Sequence, residues 1–377
     1  MDLSYWEKES FFNNIDLVII GSGLVGLHSS LRFLQLNPNK KVVIFERGSL
    51  PMGASTRNAG FACFGSISEL QDDLERMGCD SVWDTVRMRW DGLKLLRRVV
   101  GDDAMDYEGK GGFEVYRDEA AFEKCYSAIK DINQQMYSSL NLRSVYKEVP
   151  LKQVKSTTPG FKYAILNKFE GQLHTGKMMC KLLDLATKKG VKIINGLEVL
   201  KIRECGNFAN IEIKGGLEVK TKQVLVATNG FARTLLPDLD VKPARAQVIV
   251  TSKIKGLKLK GAYHFDRGFY FFRDINQRIL LGGGRNLDFK GEETTDFGIT
   301  EKIQGKLEEM LKEWIIPKVP FQIEHRWSGI MGVGSEKKPI IKNISRNVVC
   351  AVRMGGMGVA IGGMVAQLAV NELNKCK

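Results

Sequence analysis

The sequence has few of the residues from which metal centres and disulfide frameworks are built. Its four histidines, His28, His174, His264 and His325, lie far apart and do not follow a metal-ligand spacing. The seven cysteines are odd in number and irregularly spaced, and no C-x-x-C pair occurs, a pattern typical of a reducing compartment. We therefore expect no metal site and no disulfide. The sequence also shows no Ser-His-Asp or Cys-His catalytic set.

Long apolar runs are missing too. No stretch approaches the roughly 20 apolar residues that are needed to span a bilayer. The first ten residues, 1–10, are too acidic and polar for a signal peptide. We expect a cytoplasmic protein without a transmembrane segment.

Blocks of like charge are absent, although the chain is basic. Lysine and arginine number 56 against 43 acidic residues, which gives a formal net charge of +13. Because the lysines are dispersed, the simplest interpretation is a solvated surface, but a nucleic-acid or other anionic partner stays open. With 377 residues and 44% hydrophobic content, the chain is long enough for two domains and a large core.

One stretch near the start, 15–46, has the order strand, glycine-rich turn, helix, strand and acid. Gly21, Gly23 and Gly26 follow a short apolar run and open a helical pattern, and Glu46 ends the next apolar run. In this context G-x-G-x-x-G predicts a dinucleotide site, because the glycines permit a tight turn, a close pyrophosphate and close helix packing. Backbone N–H groups at the helix start favour the phosphates. Glu46 is placed to accept the ribose hydroxyls.

The rest of the chain alternates between two kinds of pattern. Helices are predicted over 69–100, 118–140, 175–189, 299–316 and 364–374, and separate strands over 217–219 and 223–227. We predict an α/β fold with a discontinuous Rossmann-type dinucleotide-binding domain and a second antiparallel-sheet (α+β) substrate domain. The predicted boundaries are 1–80, 146–238 and 322–377 for the first domain, and 81–145 and 239–321 for the second.

Several motifs, taken in order along the chain, resemble the FAD-dependent amine and amino-acid oxidases of the D-amino-acid oxidase type. That family includes glycine oxidase, sarcosine oxidase and gamma-glutamylputrescine oxidase. The resemblance covers essentially the whole chain and rests on the segments 53–61, 190–199, 226–230, 243–247, 278–284, 326–329 and 353–359. It makes FAD the expected dinucleotide. The FAD should be bound non-covalently, because no cysteine aligns with the covalent-flavin cysteine of sarcosine oxidase.

The resemblance also places the cofactor-binding residues. FAD is expected to contact Gly21, Gly23, Leu24, Val25, Gly26, Glu46, Arg47, Ala54, Ser55, Thr56, Arg57, Asn58, Ala59, Gly60, Val199, Thr228, Asn229, Gly230, Gly355, Gly356, Met357, Gly358 and Val359. A helix start after Gly358 would stabilise the flavin pyrimidine, which becomes anionic on reduction.

The substrate end departs from the family pattern. Glycine and D-amino-acid oxidases place an arginine shortly after a Trp-x-Gly motif, where it binds the substrate carboxylate in a fork. Here the motif begins at Trp327, and Met331 occupies the region where the arginine is expected. Either Arg353 or Arg57 replaces that arginine, or the substrate has no α-carboxylate.

An aromatic segment, Phe269–Phe272, is predicted to form a strand with one face toward the flavin cavity and the other in the core, and the alternative that both faces pack in the core stays open. Tyr270 is predicted to contact the substrate, because its hydroxyl gives the strand a polar group. Together with Arg353 and Met331 it completes the predicted catalytic set. Cys63 is interpreted as a small buried residue without a partner.

The resemblance implies oxidation of a small amine or amino acid. A hydride passes from the carbon that carries the nitrogen to flavin N5, the imine hydrolyses, and dioxygen reoxidises the flavin. No catalytic base is assigned, since a desolvated site favours the unprotonated amine. Two alternatives stay open. One is a tRNA wobble-uridine carboxymethylamino-modifying FAD oxidoreductase, which the positive charge motivates, and the other is a dehydrogenase that passes electrons to a partner or quinone.

Overall fold

A computed structural model describes residues 2–375. The helices are α1 (Tyr5–Glu7), α2 (Leu24–Leu36), α3 (Ala54–Arg57), α4 (Ile67–Met77), α5 (Cys79–Val100), α6 (Glu119–Ser127), α7 (Ile129–Leu140), α8 (Leu151–Thr157), α9 (Thr175–Lys188), α10 (Glu301–Met310) and α11 (Gly358–Lys375). The strands are β1 (Ile15–Ile20), β2 (Val42–Glu46), β3 (Phe61–Ala62), β4 (Gly112–Tyr116), β5 (Tyr146–Glu148), β6 (Tyr163–Asn167), β7 (Gly171–Gln172), β8 (Lys192–Asn195), β9 (Val199–Cys205), β10 (Phe208–Ile213), β11 (Leu217–Val226), β12 (Lys242–Thr251), β13 (Ala262–Phe265), β14 (Tyr270–Ile275), β15 (Arg278–Gly283), β16 (Ile323–Val333), β17 (Ile340–Ser345) and β18 (Val348–Val352).

The first large sheet is built around β1. Its eight strands include the path β17-β18-β11-β1-β2-β8, and the hairpin β9–β10 joins through the first half of β11. The central pairs β8–β2, β2–β1, β1–β11 and β11–β18 are all parallel. β1 and β2 are almost wholly buried, which explains why they are nearly continuous apolar runs in the sequence.

The second large sheet is mainly antiparallel. Its order is β16-β12-β15-β14-β13-β4-β6-β5, and within this sheet only the β4–β13 pair is parallel. The longest pairing joins β12 to β16, from the Lys242–Val333 pair to the Thr251–Ile323 pair. A short third sheet, β3–β7, connects the loop after β2 to the segment before α9.

The hydrophobic core is divided by these sheets. Helices α2, α5, α9 and α11 pack on one face of the first sheet, and the β9–β10 hairpin covers the other. One face of the second sheet packs on α10 through side chains such as Phe272 and Leu281. The opposite face presents Val248 and Leu280 to Ala59, in the loop between the two sheets.

The predicted fold class is confirmed, and several predicted elements differ in detail. The helix predicted over 69–100 is two helices, because Gly78 has a φ of +78° between α4 and α5. The helix predicted over 118–140 divides at Ala128. The strands predicted over 217–219 and 223–227 are one strand, β11, and the last helix starts at Gly358, earlier than predicted.

The predicted domain boundaries disagree with the sheet membership. β5 and β6, assigned to the first domain by the 146–238 boundary, pair in the second sheet, as does β16 from 322–377. Helix α5 starts at 79 and was placed mostly in the second domain, yet it packs on α11 of the first. The division into two domains and its boundaries therefore stay predictions.

Two expected absences can be compared with the described part of the chain. Among residues 2–375, no helix combines the length and the apolar character that crossing a membrane requires. Six cysteines, Cys63, Cys79, Cys125, Cys180, Cys205 and Cys350, are free, and Cys376 lies outside the described residues.

Candidate active site

A cavity of about 1380 Å³ is lined by residues of both large sheets. It reaches from the glycine turn after β1 to the turn before α11. Most of the predicted site residues line it: Gly21, Gly23, Leu24, Val25, Glu46, Arg47, Ala54, Ser55, Arg57, Asn58, Ala59, Val199, Thr228, Asn229, Met331, Arg353, Gly355, Gly356, Met357, Gly358 and Val359. Gly26, Thr56, Gly60, Gly230 and Tyr270 are outside this lining. The structure therefore brings motifs from the start, middle and end of the chain to one cavity.

The glycine turn has the geometry that its sequence predicts. Gly21 has a φ of +104°, which favours glycine. A Cβ on Gly23 would lie 2.9 Å from the Ser55 hydroxyl, and one on Gly26 would lie 2.0 Å from the Gly21 carbonyl oxygen. Gly26 is thus a packing residue beneath the turn, whereas Gly21 and Gly23 border the cavity.

Glu46 is fixed at the end of β2. One carboxylate oxygen accepts from the Ser22 N–H at 3.1 Å and from its hydroxyl at 2.8 Å, and the other accepts from the Gly48 N–H. The next residue, Arg47, places its guanidinium carbon 3.8 Å from the centre of the Phe231 ring. Phe231 also lines the cavity and was not predicted, although it directly follows the recognised segment 226–230.

The loop after β2 ties the glycine turn to the second sheet. The Ser55 hydroxyl accepts from the Leu24 N–H at 2.9 Å, at the start of α2. The Arg57 guanidinium donates to the Ser328 carbonyl, and its own carbonyl accepts from the Trp327 indole at 2.9 Å. Asn58 closes the loop by donating to the Ser55 carbonyl and accepting from the Thr175 hydroxyl. These bonds hold α3 between α2 and β16.

The turn before α11 is held by Asn229. Its side-chain oxygen accepts from the backbone N–H groups of Arg353 and Met354, both at 3.1 Å. The Arg353 guanidinium donates to the Asp240 carboxylate at 2.6 Å and to the Lys338 carbonyl at 2.8 Å, with Glu336 at 3.5 Å. These contacts occupy the guanidinium, so the predicted role of Arg353 as a carboxylate anchor finds no support in the structure.

The aromatic strand β14 divides its side chains as its alternation predicts. Phe271, with Phe269 just before the strand, lines the cavity, whereas Tyr270 and Phe272 lie in the hydrophobic cluster beneath the sheet. Tyr270 is 3% exposed. The predicted contact between its hydroxyl and the substrate therefore finds no support, because the polar residue is on the core face.

A buried group that the sequence did not indicate lies beside this wall. A Cys63 sulfur, a Glu170 carboxylate oxygen and a His264 ring nitrogen all lie within 4.8 Å of one another, in an arrangement that could hold a metal ion. Burial disfavours a charged His264, but Cys63 and Glu170 outweigh it and raise the histidine pKa. Burial raises the pKa of the Cys63 thiol to about 11, so it stays protonated at neutral pH. The three residues are distant in sequence, so no spacing could have revealed them, and the absence of a metal stays a prediction.

The cavity fits the expected cofactor. Gly21 and Gly23 line the cavity next to the N-terminus of α2, whose first N–H groups favour a phosphate. Thr228 lines the cavity, and its buried hydroxyl has no hydrogen-bond partner among the described residues. At the other end, α11 begins at Gly358 and presents its first N–H groups. These features match a long ligand with phosphates at one end and an electron-rich ring at the other.

Comparisons with known proteins agree with this geometry. Residues 16–372 match the family model DAO, described as FAD dependent oxidoreductase. The probable oxidoreductase OrdL of Haemophilus influenzae is 19% identical over an alignment of 382 positions, which covers 95% of this chain and 82% of that protein.

Two solved structures share the fold at low identity. Glycine oxidase from Geobacillus kaustophilus has a TM-score of 0.78 and 17% identity, with 96% of this chain and 94% of that chain covered. L-proline dehydrogenase from P. horikoshii has a TM-score of 0.77 and 16% identity, with 97% and 94% covered.

The family match confirms the predicted resemblance, fold class and cofactor. It covers nearly the whole chain, from within β1 to the last turns of α11. The protein therefore belongs to the DAO family of FAD-dependent oxidoreductases.

Proposed function

We propose that the protein oxidises the C–N bond of a small amine or amino acid and that dioxygen is the electron acceptor. The observation that carries this proposal is the apolar end of the cavity. Phe269, Phe271 and Met331 line the same cavity as Asn58 and the turn before α11. A small substrate can therefore be enclosed between the second sheet and the cofactor.

The side chains at the apolar end of the cavity bind and desolvate the substrate and do not react with it. The aromatic wall excludes water, which favours the unprotonated form of an amine. Cys63 is a neutral thiol at neutral pH, because burial raises its pKa to about 11, so it does not act as a nucleophile. When bound, FAD supplies the acceptor for the hydride of the carbon that carries the nitrogen.

The names of the structural relatives support the substrate class. One is described as glycine oxidase and another as L-proline dehydrogenase. Both names refer to small amino acids, and the two differ in the acceptor that the name implies. The non-covalent attachment of FAD and the cytoplasmic location stay predictions.

The positive charge gives little support to a nucleic-acid substrate. Several lysines pair with nearby acids across the surface, as Lys40 does with Asp16 and Lys214 with Glu198. Such pairs fit a solvated surface better than a continuous basic track. The tRNA-modifying alternative therefore stays a prediction.

An oxygen-uptake assay tests the proposal. The FAD-loaded protein is mixed with a panel of small amines and amino acids while dioxygen, hydrogen peroxide and ammonia are followed. We expect at least one compound to consume dioxygen and to form hydrogen peroxide in equal amounts. A compound that reduces the enzyme without oxygen uptake would contradict dioxygen as the acceptor and favour the dehydrogenase alternative.

A further inference from the structure

The second sheet carries a cation that the proposed reaction has not used. Arg285 follows the glycines at the end of β15 and lines the cavity together with Phe269 and Phe289. Gly283 and Gly284 have φ values of +119° and +80°, so the chain turns sharply and Arg285 begins a short 3₁₀ turn. Gly282–Gly284 belong to the segment 278–284, which resembles the family, and Arg285 follows directly after it.

Other cations on the cavity wall have protein partners or are exposed. Arg353 and Arg57 are bonded as described above. Arg89 donates to the Phe64 carbonyl, and ion pairs join Arg76 to Asp72, Arg267 to Asp266 and Lys337 to Asp73. Arg47 and Lys338 are exposed, and Arg47 stacks on Phe231.

Arg285 differs from all of these. Its side chain is half-buried, and it makes no hydrogen bond or ion pair with any group in residues 2–375. Its contact is with the Phe289 ring, whose centre lies 4.8 Å from the guanidinium carbon. Burial lowers the pKa of Arg285, while the charges of Glu293 and Glu292 act in the opposite direction. A desolvated guanidinium without a carboxylate partner favours an anionic ligand.

The surroundings of Arg285 define the rest of that ligand. The Phe269 and Phe289 rings lie 5.8 Å apart, edge to face, beside the guanidinium. Phe271, on the same wall, covers Gly282, where a Cβ would lie 2.5 Å from the ring. The wall thus combines a guanidinium that has no bonded carboxylate among residues 2–375 with an apolar aromatic surface.

We propose that Arg285 binds the substrate carboxylate, in place of the arginine that is missing at Met331, and that the substrate is an amino acid and not a simple amine. This inference rests on the proposed function, because it places the carboxylate in the same cavity. The guanidinium binds the carboxylate in a fork, and the apolar part of the substrate packs on Phe269 and Phe271. The arginine that binds the carboxylate thus lies in the turn after β15, and not on strand β16 at the position of Met331.

Calorimetric titration of the FAD-loaded protein tests the inference without any turnover. Benzoate serves as an unreactive carboxylate, and benzamide as its neutral analogue. We expect the native protein to prefer benzoate. Arg285→Gln should weaken benzoate binding by about 30-fold or more, because an arginine–carboxylate pair is lost, and should leave benzamide within about twofold. Arg285→Lys should be intermediate, because it keeps the charge and loses the fork.

Arg278→Gln is the matched control. Arg278 begins the same strand β15 and pairs with Glu324, outside the cavity. It removes the same charge and should leave benzoate affinity within about twofold. An equal loss in both variants, unchanged benzoate binding in Arg285→Gln, or no preference of the native protein for benzoate would each overturn the inference. The proposed function fails by a different result, namely that no amine or amino acid is oxidised.

Discussion

Arg353 and Arg285 line one cavity, but their neighbours give them different tasks. The Arg353 guanidinium is bonded to Asp240 and Lys338, so its charge stabilises the turn before α11. Asp240 has a lowered pKa because Ser335 donates to it and Arg353 lies beside it. The Arg285 side chain has no such partner in the described part of the chain, so its charge is free for a ligand. For both arginines, the hydrogen bonds within the protein determine whether the side chain is available to a ligand.

His28 gives a prediction about pH that does not involve the substrate. It is buried in α2, its Nε2 has no partner among the described residues, and burial lowers its pKa to about 4. The unfolded chain binds a proton near the ordinary value of 6.5, but the folded chain does not. Stability is therefore lost as the pH falls below about 6.5, down to the folded pKa of about 4.

The variant His28→Leu should lack this loss. Between about pH 7.5 and about pH 5, its free energy of unfolding should rise relative to that of the native protein by roughly 2 kcal/mol. Urea unfolding of both proteins at the two pH values measures the difference, in which other titrating groups cancel. A difference that does not change with pH would show that His28 is protonated or exposed in the folded protein.

The direction of a side chain was predicted well from the sequence where a single backbone rule, such as the alternation of a strand, determines it. The alternation of a strand correctly separated Phe269 and Phe271 from Tyr270 and Phe272, yet it could not say which face meets the cavity. The hydroxyl of Tyr270 suggested a substrate contact, whereas its side chain lies in the hydrophobic cluster on the core face. Residues that meet only in three dimensions, as His264 meets Glu170, leave no local signal.

At the scale of elements, the approach of α2 to β1 determines the cofactor site. A Cβ at position 26 would lie 2.0 Å from the Gly21 carbonyl oxygen, so even alanine must push the helix away from the strand. Gly26→Ala should cost about 1–3 kcal/mol of stability through overpacking, and it should weaken FAD binding by about tenfold or more. Thermal unfolding and fluorescence titration with FAD measure the two effects.

Gly305→Ala is the control for Gly26→Ala. Gly305 lies within α10, where an added Cβ meets no atom within 4 Å. There the same substitution should stabilise the protein by about 0.5–1 kcal/mol, because alanine is the better helix former. Equal FAD affinity in Gly26→Ala and the native protein would show that the close packing is not needed for the cofactor.

Elements were predicted best where the periodic signal is strong and continuous. β1, β2 and α2 were found from their pattern because they are mostly buried and have clear ends: Gly21 follows β1, Glu46 ends β2, and Asn37 caps α2. Boundaries between elements were not predicted where a single residue sets them, as Gly78 does between α4 and α5. β11 was divided in two because its first half alternates and its last three residues, Val224–Val226, are apolar and buried, which reflects two different sets of neighbours.

At the scale of the whole molecule, the chain returns to the first sheet after long excursions into the second. This path brings residues near positions 21, 55, 228 and 356 to one cavity. The sequence could indicate that path through its ordered motifs, but not that β5, β6 and β16 pair in the second sheet. Sheet pairing depends on long-range contacts, which a single sequence does not display.

The central claim is that this cavity holds FAD beside a substrate with a C–N bond. Anaerobic titration of the FAD-loaded protein with amino acids and their decarboxylated amines tests it most directly, by the loss of flavin absorbance. We predict that at least one amino acid bleaches the flavin with one equivalent per FAD, and that its decarboxylated amine binds more weakly. Flavin that stays oxidised with every amine and amino acid would contradict the account.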